Sequence, residues 1–379
     1  MPSQILHTLF GEDVISGLHS RLEENGYFGP VAGKDTEKNS CSYRDAFVLG
    51  CQGPDIFYHN LRTRPVALEY GTLLHRRNYG DFAANLLKTV LPDFAPGEKE
   101  IPGCLNEKEI GATGVYALGF MTHAALDRFC HPYILYKSVD LREQKNAGEN
   151  GMMHPFFERI IDVQMLGILR HRELSSWDQE TFAKICENPP AGLKELIIRA
   201  LILTFPERAG RDVNLNRRID NTFADCARFF RLTDPAKTAL VAQGSSDYEP
   251  VLSRRIVSLI FPEDLPEDVD CLNLKREPWY YPYRKPAENG TPIDEPVPDS
   301  RSFPEIYTDA VKNTIDSLSP CFTEYLKTGV FPTDAAARSI GNGSLSIRDE
   351  EGKPCAPNFT SPLPLEKVLQ GQLEMRNRS

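Results

Sequence analysis

The chain has no surplus of basic residues. Its 379 residues include 43 lysines and arginines against 53 aspartates and glutamates, which gives a net charge of −10. Proteins that wrap duplex nucleic acid neutralise phosphates mainly with lysine and arginine, so this balance argues against such a partner. A local cationic metal site is still compatible with the binding of one phosphate.

Paired cysteines and long apolar runs are also missing. The nine cysteines form no Cys-x-x-Cys motif and are odd in number, which argues against a disulfide framework and against a zinc ribbon. No stretch reaches the roughly 18 uncharged apolar residues that a transmembrane helix needs. A secretory signal begins with basic residues, but the first arginine or lysine here is Arg21. We therefore expect no secretory signal and a cytoplasmic location.

Sustained alternation of apolar and polar residues, the pattern of half-buried strands, is hard to find. Apolar residues instead recur at three- and four-residue spacing, which is typical of helices. The segments with this spacing are 5–22, 66–91, 110–135, 156–168, 193–203, 223–232 and 306–326. We therefore predict an all-α fold.

The helical pattern also suggests an organisation in three regions. We predict a helical core over residues 1–175 and a loosely packed, loop-rich tail over 331–379. Between them, residues 176–330 add further helices and a Pro-rich segment with four aromatic residues, Trp279, Tyr280, Tyr281 and Tyr283. A free linker rarely holds so many aromatic side chains, so we expect this segment to pack on the core rather than to form a lipid-contacting lip.

One predicted helix carries metal-binding side chains at intervals of four residues. His123, Asp127 and His131 follow one another at this spacing. An ideal helix advances about 100° per residue, so each step of four turns the next side chain by only about 40°, and all three share a face. His154 and Glu158 repeat the spacing, and together the two segments supply imidazole and carboxylate ligands suited to zinc.

Further candidate ligands lie upstream, and the ordered set points to a family. Asp55 follows the dipeptide Gly53-Pro54, His75 lies in a predicted helix, and His7 lies near the N-terminus. The complete set is His7, Asp55, His75, His123, Asp127, His131, His154 and Glu158. In this order and with these residue types, the chain resembles the bacterial zinc-dependent phospholipase C family, whose helical fold is shared by zinc-dependent single-strand nucleases.

The resemblance implies two zinc sites and the beginning of a third. The first would be held by Asp55, His75, His123 and Asp127, the second by His131, His154 and Glu158, and the third would form between Asp127 and His7. Clustered zinc ions lower the pKa of a bound water to about 7 and stabilise the attacking and leaving oxygens of a displacement at phosphorus. Asp55, as a ligand beside that water, is the general base that the resemblance implies.

The chain departs from the family pattern near the third site and at His131. Secreted members complete the third site with an N-terminal tryptophan, whereas the only tryptophans here are Trp177 and Trp279. His131 follows Asp127 by four residues where the secreted enzymes leave six. Because a residue before proline disfavours helical torsions, we expect the local backbone at His131 to differ there, and a kink would still be compatible with a correctly aimed imidazole.

The substrate positions depart as well. Choline-binding members place aromatic residues where this chain has Ile56 and Thr72, and cation–π recognition of choline needs aromatic faces. A pocket rebuilt from neighbouring aromatic side chains would use Phe57, Tyr58, Tyr70 or Tyr79. His59 is either a loop histidine or a substrate contact, and Asp162 is either a partner of a metal ligand or a solvated acid.

These observations leave three functional interpretations. The leading one is a zinc-dependent phosphoric ester hydrolase that cleaves a glycerophospholipid in the manner of phospholipase C. On the same scaffold, the alternative is a nuclease or a general phosphodiesterase or phosphomonoesterase. The third is a non-catalytic, metal-stabilised binding module. The expected partners are a phospholipid or another small phosphate ester and a transient contact with a membrane surface, but not duplex nucleic acid.

Overall fold

The computed structural model describes residues 4–24, 43–59, 63–91, 93, 107–141, 147–234, 253–262, 265, 268–283 and 298–378. Helices dominate these residues, and the two strands found among them are two residues long and pair antiparallel, with Trp279 opposite Asp299. The all-α prediction is confirmed. None of the described helices combines the length and the apolar character needed to cross a bilayer.

The helices begin and end as follows. Those of the N-terminal half are α1 (Gln4–Glu24), α2 (Tyr43–Cys51), α3 (Leu68–Arg76), α4 (Tyr79–Val90), α5 (Glu107–Ser138) and α6 (Ala147–Arg170). Those of the C-terminal half are α7 (Glu180–Glu187), α8 (Leu193–Thr204), α9 (Leu215–Leu232), α10 (Arg254–Val257), α11 (Phe303–Thr328), α12 (Thr333–Ile340) and α13 (Leu365–Arg378). Two 3₁₀ helices, Gly53–His59 and Leu174–Ser176, and the strands β1 (Trp279–Tyr280) and β2 (Pro298–Asp299) complete the described elements.

Every segment with helical spacing in the sequence lies within helix, although residues 66–91 form two helices. The chain turns at Asn78, whose φ of 60° ends the continuity between α3 and α4. The periodicity missed α13, which is 14 residues long, and the helices α2, α7, α10 and α12, which are nine residues long or shorter. Two turns of helix offer too few repeats for an apolar stripe to stand out.

The expected departure from helical geometry at His131 was wrong. Helix α5 continues from Glu107 to Ser138 through Pro132, and the residue with non-helical torsions inside it is Gly111. Proline removes the N–H that the carbonyl of Arg128 would otherwise accept. Burial of Tyr133 and Ile134, which directly follow Pro132, outweighs this loss, because tertiary packing readily overrides a local preference.

Helix α5 occupies the centre of the molecule. Helices α1, α2, α4, α6 and α11 all pack against it. Its crossing with α2 is close, since a Cβ at Gly50 would meet the Tyr116 carbonyl oxygen at 2.2 Å and one at Gly119 would meet the Phe47 carbonyl oxygen at 2.5 Å. The metal-ligand candidates of α5 are therefore surrounded by other helices.

One apolar cluster joins all three predicted regions, since it includes Leu6, Leu201 and Leu369. The aromatic segment belongs to it. Trp279 is 3% exposed and its ring meets Tyr133 of α5 edge-on at 5.4 Å between centroids. The described part of this segment thus packs on the helical body.

The tail is more ordered than we predicted. Residues 331–379 contain the helices α12 and α13, and residues 341–364 between them form a segment with little regular structure. This segment is not loosely packed, because Leu345 and Ile347 are fully buried. Its few apolar residues are too scattered to show a period, although these two lie in the protein interior.

Candidate metal centre

The eight predicted ligands come from five elements that converge on one face of α5. Helix α1 supplies His7, the 3₁₀ helix Gly53–His59 supplies Asp55, and α3 supplies His75. Helices α5 and α6 supply the others, which are His123, Asp127, His131, His154 and Glu158. The structure brings all eight together, although their binding of metal stays a prediction.

The first group surrounds the carboxylates of Asp55 and Asp127. His75 Nε2 lies 3.0 Å from Asp55 Oδ1, and His123 Nε2 lies 3.2 Å from Asp127 Oδ2. The remaining oxygen of Asp127 lies 3.2 Å from His7 Nε2, and the rings of His7 and His123 stack at 3.9 Å between centroids. These residues form two overlapping triads of potential ligands, which share His123.

The second group is a compact triad beside the first. Glu158 Oε1 lies 3.1 Å from His154 Nε2 and 3.3 Å from His131 Nε2. Asp127 connects the groups, since its Oδ2 is 3.8 Å from His131 Nδ1. Most of the ligands are buried, but the side chains of His75 and His154 are 15% and 19% exposed, so the centre opens to solvent on their side.

Three of the imidazoles are oriented by backbone carbonyls. His75 Nδ1 is 2.8 Å from the Gly71 oxygen, and His123 Nδ1 is 3.1 Å from the Cys51 oxygen. His131 Nδ1 is 2.8 Å from the Leu345 oxygen. Because a carbonyl oxygen only accepts, each Nδ1 carries a proton and donates it, which leaves Nε2 of the neutral ring as the ligand atom.

This protonation pattern is the test of whether a metal ion fits. In the neutral rings of His75 and His123, the unprotonated Nε2 atoms face carboxylate oxygens at 3.0 and 3.2 Å, a contact between lone pairs that a bound cation makes favourable. Two ligands that are each about 2.0 Å from a tetrahedral zinc ion are about 3.3 Å apart. The buried polar atoms that lack a hydrogen-bond partner among the described residues include His7 Nδ1, Asp55 Oδ1, His123 Nε2, Asp127 Oδ2 and Glu158 Oε2. The donor set therefore fits zinc.

The carboxylates of the centre are held in their charged form. Burial opposes this charge, but His123 and His75 lower the pKa of Asp55 well below its ordinary value. In the same way His131 and His123 lower the pKa of Asp127 against the effect of burial. Burial also acts against the charge of His131, but the nearby carboxylates raise the pKa of its imidazole to about 9. The centre thus presents ionised carboxylates, which is the form that binds a metal ion.

Glycine at position 53 lets the 3₁₀ helix approach α5. Gly53 has a φ of 54°, and a Cβ built on it would lie 2.4 Å from His123 Cγ. Only glycine adopts this torsion without strain and leaves room for the imidazole. The glycine before Pro54 was visible in the sequence as part of a turn, but its contact with a candidate ligand was not.

Helix α1 is anchored at its start by Asp162. The buried carboxylate of this residue accepts hydrogen bonds from the backbone N–H groups of Gln4 and Leu6, both at 2.8 Å. A carboxylate at this position satisfies two amides that a helix N-terminus leaves unpaired and complements the helix dipole. Asp162 is thus a fully buried acid and not a solvated one, and it fixes the helix that carries His7.

The comparison with known families adds a finding that is independent of this geometry. Residues 26–199 match the family model described as zinc dependent phospholipase C. This segment belongs to the zinc-dependent phospholipase C family. No curated protein and no solved structure matches the chain.

The phospholipase C segment contains seven of the eight candidate ligands. His7 lies before the match. Helix α1 nevertheless brings His7 to Asp127. The match also ends at residue 199, so it does not include the C-terminal segment whose Leu345 carbonyl orients His131.

Of the aromatic residues considered for the substrate, only Tyr58 lies beside the centre with some exposure. Its ring is 4.8 Å from that of His75, and its hydroxyl is hydrogen-bonded to Thr72. Phe57, Tyr70 and Tyr79 are buried in the core of the phospholipase C segment. His59 is also buried and stacks on Phe229 at 3.7 Å, so it is a packing residue and not a substrate contact.

Two functional features were missed in the sequence. Leu345 acts through its backbone, and no residue type reveals which carbonyl a distant histidine will contact. Arg128 follows Asp127 on α5 and bonds to carbonyls of the C-terminal segment, including that of Gly341 at 2.8 Å. The position of Arg128 on the same predicted helix, directly after one candidate ligand and three residues before another, was the one available sign.

Proposed function

We propose that the protein is a zinc-dependent phosphoric ester hydrolase that cleaves a glycerophospholipid on the glycerol side of the phosphate, as phospholipase C does. The observation that carries the proposal is the convergence of three charged carboxylates and five imidazoles whose ligand atoms face one another. The family of residues 26–199 supports the same chemistry. The products would be a diacylglycerol and a phosphorylated headgroup.

The two groups of ligands would hold separate zinc ions. The triad of His131, His154 and Glu158 would hold one, and the residues around Asp127 would hold the other, with His7 available for a third. Bound zinc would polarise the phosphoryl oxygen and make a water molecule acidic at neutral pH. The chain's own contribution is to fix the imidazoles through backbone carbonyls and to keep the carboxylates ionised.

Asp55 is the proposed general base. Its carboxyl group is ionised at neutral pH, because His123 and His75 outweigh the effect of burial on its pKa. A carboxylate that is a ligand beside a zinc-bound water would be within reach of the proton that the attacking water gives up. The exposed side of the centre at His75 is where a phosphate ester would enter.

A cleft beside the centre has the character of a lipid site. It has a volume of 690 Å³ and adjoins the centre through Thr72, which is hydrogen-bonded to Tyr58. Its apolar lining includes Leu68 and Phe205. Its charged lining includes Glu69 and three arginines, Arg77, Arg208 and Arg218. Arg208 is paired with Glu69 and Arg218 with Asp212, and the mixture of apolar walls and polar groups is compatible with an amphipathic ligand.

The headgroup pocket differs from an aromatic box for choline. The two family positions that would be aromatic are Ile56, which is buried, and Thr72, which contacts Tyr58. A single partly exposed tyrosine gives a weak cation–π site compared with several aromatic faces. We therefore propose that phosphatidylcholine is not preferred over phospholipids whose headgroups lack a quaternary amine.

The test is a product assay with the zinc-loaded protein. Glycerophospholipid vesicles and a soluble phosphodiester would be supplied in parallel, and diacylglycerol and released phosphorylated headgroup would be quantified. We expect both lipid products in equal amounts. Turnover of the soluble ester alone would assign the protein to the general phosphodiesterases or nucleases. Turnover of neither, with zinc bound, would favour a metal-stabilised binding module.

A variant pair separates catalysis from folding. Asp55→Asn removes the proposed base, and we expect turnover to fall by at least about 100-fold, as is typical when a general base is lost. Asp93→Asn is the control, because Asp93 is exposed and pairs with Lys88 at 2.9 Å on the surface. Equal turnover in the two variants would contradict the role of Asp55.

A further inference from the structure

The C-terminal segment after α12 reaches the candidate metal centre, although it lies far outside the family match. One residue of this segment touches both groups of ligands. The Leu345 N–H donates to the His75 carbonyl at 2.9 Å, and the Leu345 carbonyl accepts from His131 Nδ1 at 2.8 Å. His75 belongs to the first group and His131 to the second, so a single residue spans both through its backbone.

The hydrogen bond from His131 Nδ1 to the Leu345 carbonyl determines which carboxylates the imidazole of His131 contacts. Nδ1 of His131 is only 3.8 Å from Asp127 Oδ2, whereas its Nε2 is 3.3 Å from Glu158. If the Leu345 carbonyl moved away, the Nδ1 proton would be donated to Asp127. The ring would then turn from Glu158, and an oxygen of Asp127 would be lost to the first group.

The segment is held in place by Arg128. The guanidinium of this residue donates to the carbonyls of Ile340, Gly341 and Gly343, with distances of 2.8 Å to Gly341 and 3.2 Å to Gly343. Arg128 lies on α5 between the ligands Asp127 and His131. The same helix thus carries the ligands and the side chain that fixes their distant backbone partner.

We propose that Arg128 and the segment 340–345 form a positioning device for His131, without which the second zinc site binds its ion weakly. The inference rests on the proposed function, because it assumes that the ligand groups bind zinc. Arg128 and Leu345 are positioning residues, since neither one contacts the metal or the substrate. Loss of a group that orients a metal ligand typically lowers metal affinity by about 10- to 100-fold.

The proposed positioning of His131 can be tested by substitutions on either side of the contact between Arg128 and Gly341. Arg128→Met removes the three hydrogen bonds, and Arg128→Lys keeps the charge but leaves fewer donors. Gly341→Ala acts from the segment, because Gly341 has a φ of 84° and a new Cβ would lie 3.2 Å from Arg128 Nη1. The segment stays attached to α4 in these variants through the Asn78 N–H, which donates to the Asn342 carbonyl at 3.0 Å, so we expect them to fold.

Matched controls exist for both kinds of change. Gly192 has a φ of 80°, and a Cβ added to it would meet no described atom within 4 Å, so Gly192→Ala carries the torsional strain without the contact. Arg301→Met removes a guanidinium that binds Asp299 and Asp309 on the surface. Neither control touches the segment 340–345.

The experiment measures zinc binding by competition with a chromophoric chelator, together with the visible spectrum of the cobalt-substituted protein. The wild type should bind at least two ions. We expect Arg128→Met and Gly341→Ala to bind one ion about 10- to 100-fold more weakly and to change the cobalt bands, with Arg128→Lys in between. The double variant should be no weaker than the weaker single variant, because both changes break the same contact.

The outcomes separate this inference from the proposed function. If the wild type binds two ions and both single variants match the controls, the positioning role is wrong and the metal centre stands. If the wild type binds no zinc, the metal centre and the positioning role fall together. If Arg128→Met does not fold, as judged by circular dichroism, Gly341→Ala decides the question alone.

Discussion

Replacement of Gly53 by alanine tests the construction of the metal centre most directly. The residue begins the 3₁₀ helix that carries Asp55, and its φ of 54° lies in the left-handed region. An alanine there would place its Cβ 2.4 Å from His123 Cγ. Either the imidazole of the candidate ligand His123 or the 3₁₀ helix that carries the candidate ligand Asp55 must then move.

The expected magnitude follows from two contributions. A residue with a side chain in the left-handed region costs about 1–2 kcal/mol. Overpacking against a buried ring that cannot retreat adds about 1–3 kcal/mol. His123 is fully buried and its Nδ1 is bonded to the Cys51 carbonyl, so it has little freedom to move. We therefore expect Gly53→Ala to lower the free energy of unfolding by about 2–5 kcal/mol.

Gly192→Ala provides the comparison in the same protein. Its φ of 80° imposes a similar torsional strain, but no described atom lies near the new Cβ, so we expect only about 1–2 kcal/mol. Urea unfolding of the chelator-treated proteins, followed by circular dichroism, gives both values from the shift in midpoint at constant slope. Equal losses in the two variants would refute the close approach of the 3₁₀ helix to His123.

Three further predictions concern the ligands and a neighbouring histidine. Asp127→Asn should lose at least one zinc ion per chain in elemental analysis, because the carboxylate of Asp127 lies 3.2 Å from Nε2 of both His7 and His123; unchanged zinc content would argue against its role as a shared ligand. Zinc affinity should rise by about tenfold per pH unit up to pH 9, because the pKa of His131 is raised to about 9 and its proton must leave before the metal binds; a flat profile in a chelator competition would contradict this. His59→Leu should keep its zinc and be more resistant to acid than the wild type. Burial lowers the pKa of His59 to about 3, so the unfolded wild-type chain takes up a proton at His59 at a higher pH than the folded protein does. In acid titrations followed by circular dichroism, the free energy of unfolding should fall by about 1.4 kcal/mol more per pH unit in the wild type than in His59→Leu between pH 6.5 and 3.

The sign of the His131 effect on the metal-free protein differs from that of the carboxylates. The folded-state pKa of His131 is raised, so its contribution to stability is complete below pH 6.5 and is lost as the pH rises through 9. The folded-state pKa values of Asp127 and Glu158 are lowered, so their contribution is present at neutral pH and is lost in acid. The contribution of His131 to stability is therefore lost in base, whereas that of Asp127 and Glu158 is lost in acid.

Local patterns in the sequence predicted the central part of the fold and of the site. The shared face of His123, Asp127 and His131 follows from helix geometry alone, and α5 has this geometry. The same local reasoning failed at Pro132, where it predicted a departure from helical geometry that packing prevents. It also failed for the tail, whose buried Leu345 belongs to no apolar period.

The sequence by itself determined which side chains can bind metal and which of them share a helical face, because residue type and helical period are local properties. Only the tertiary structure decided that the Leu345 carbonyl orients His131, that Arg128 holds this segment, and that Asp162 anchors the helix with His7. These contacts join residues that are far apart in the chain. They depend on how the helices pack and on backbone groups that every residue carries, so no sequence pattern records them.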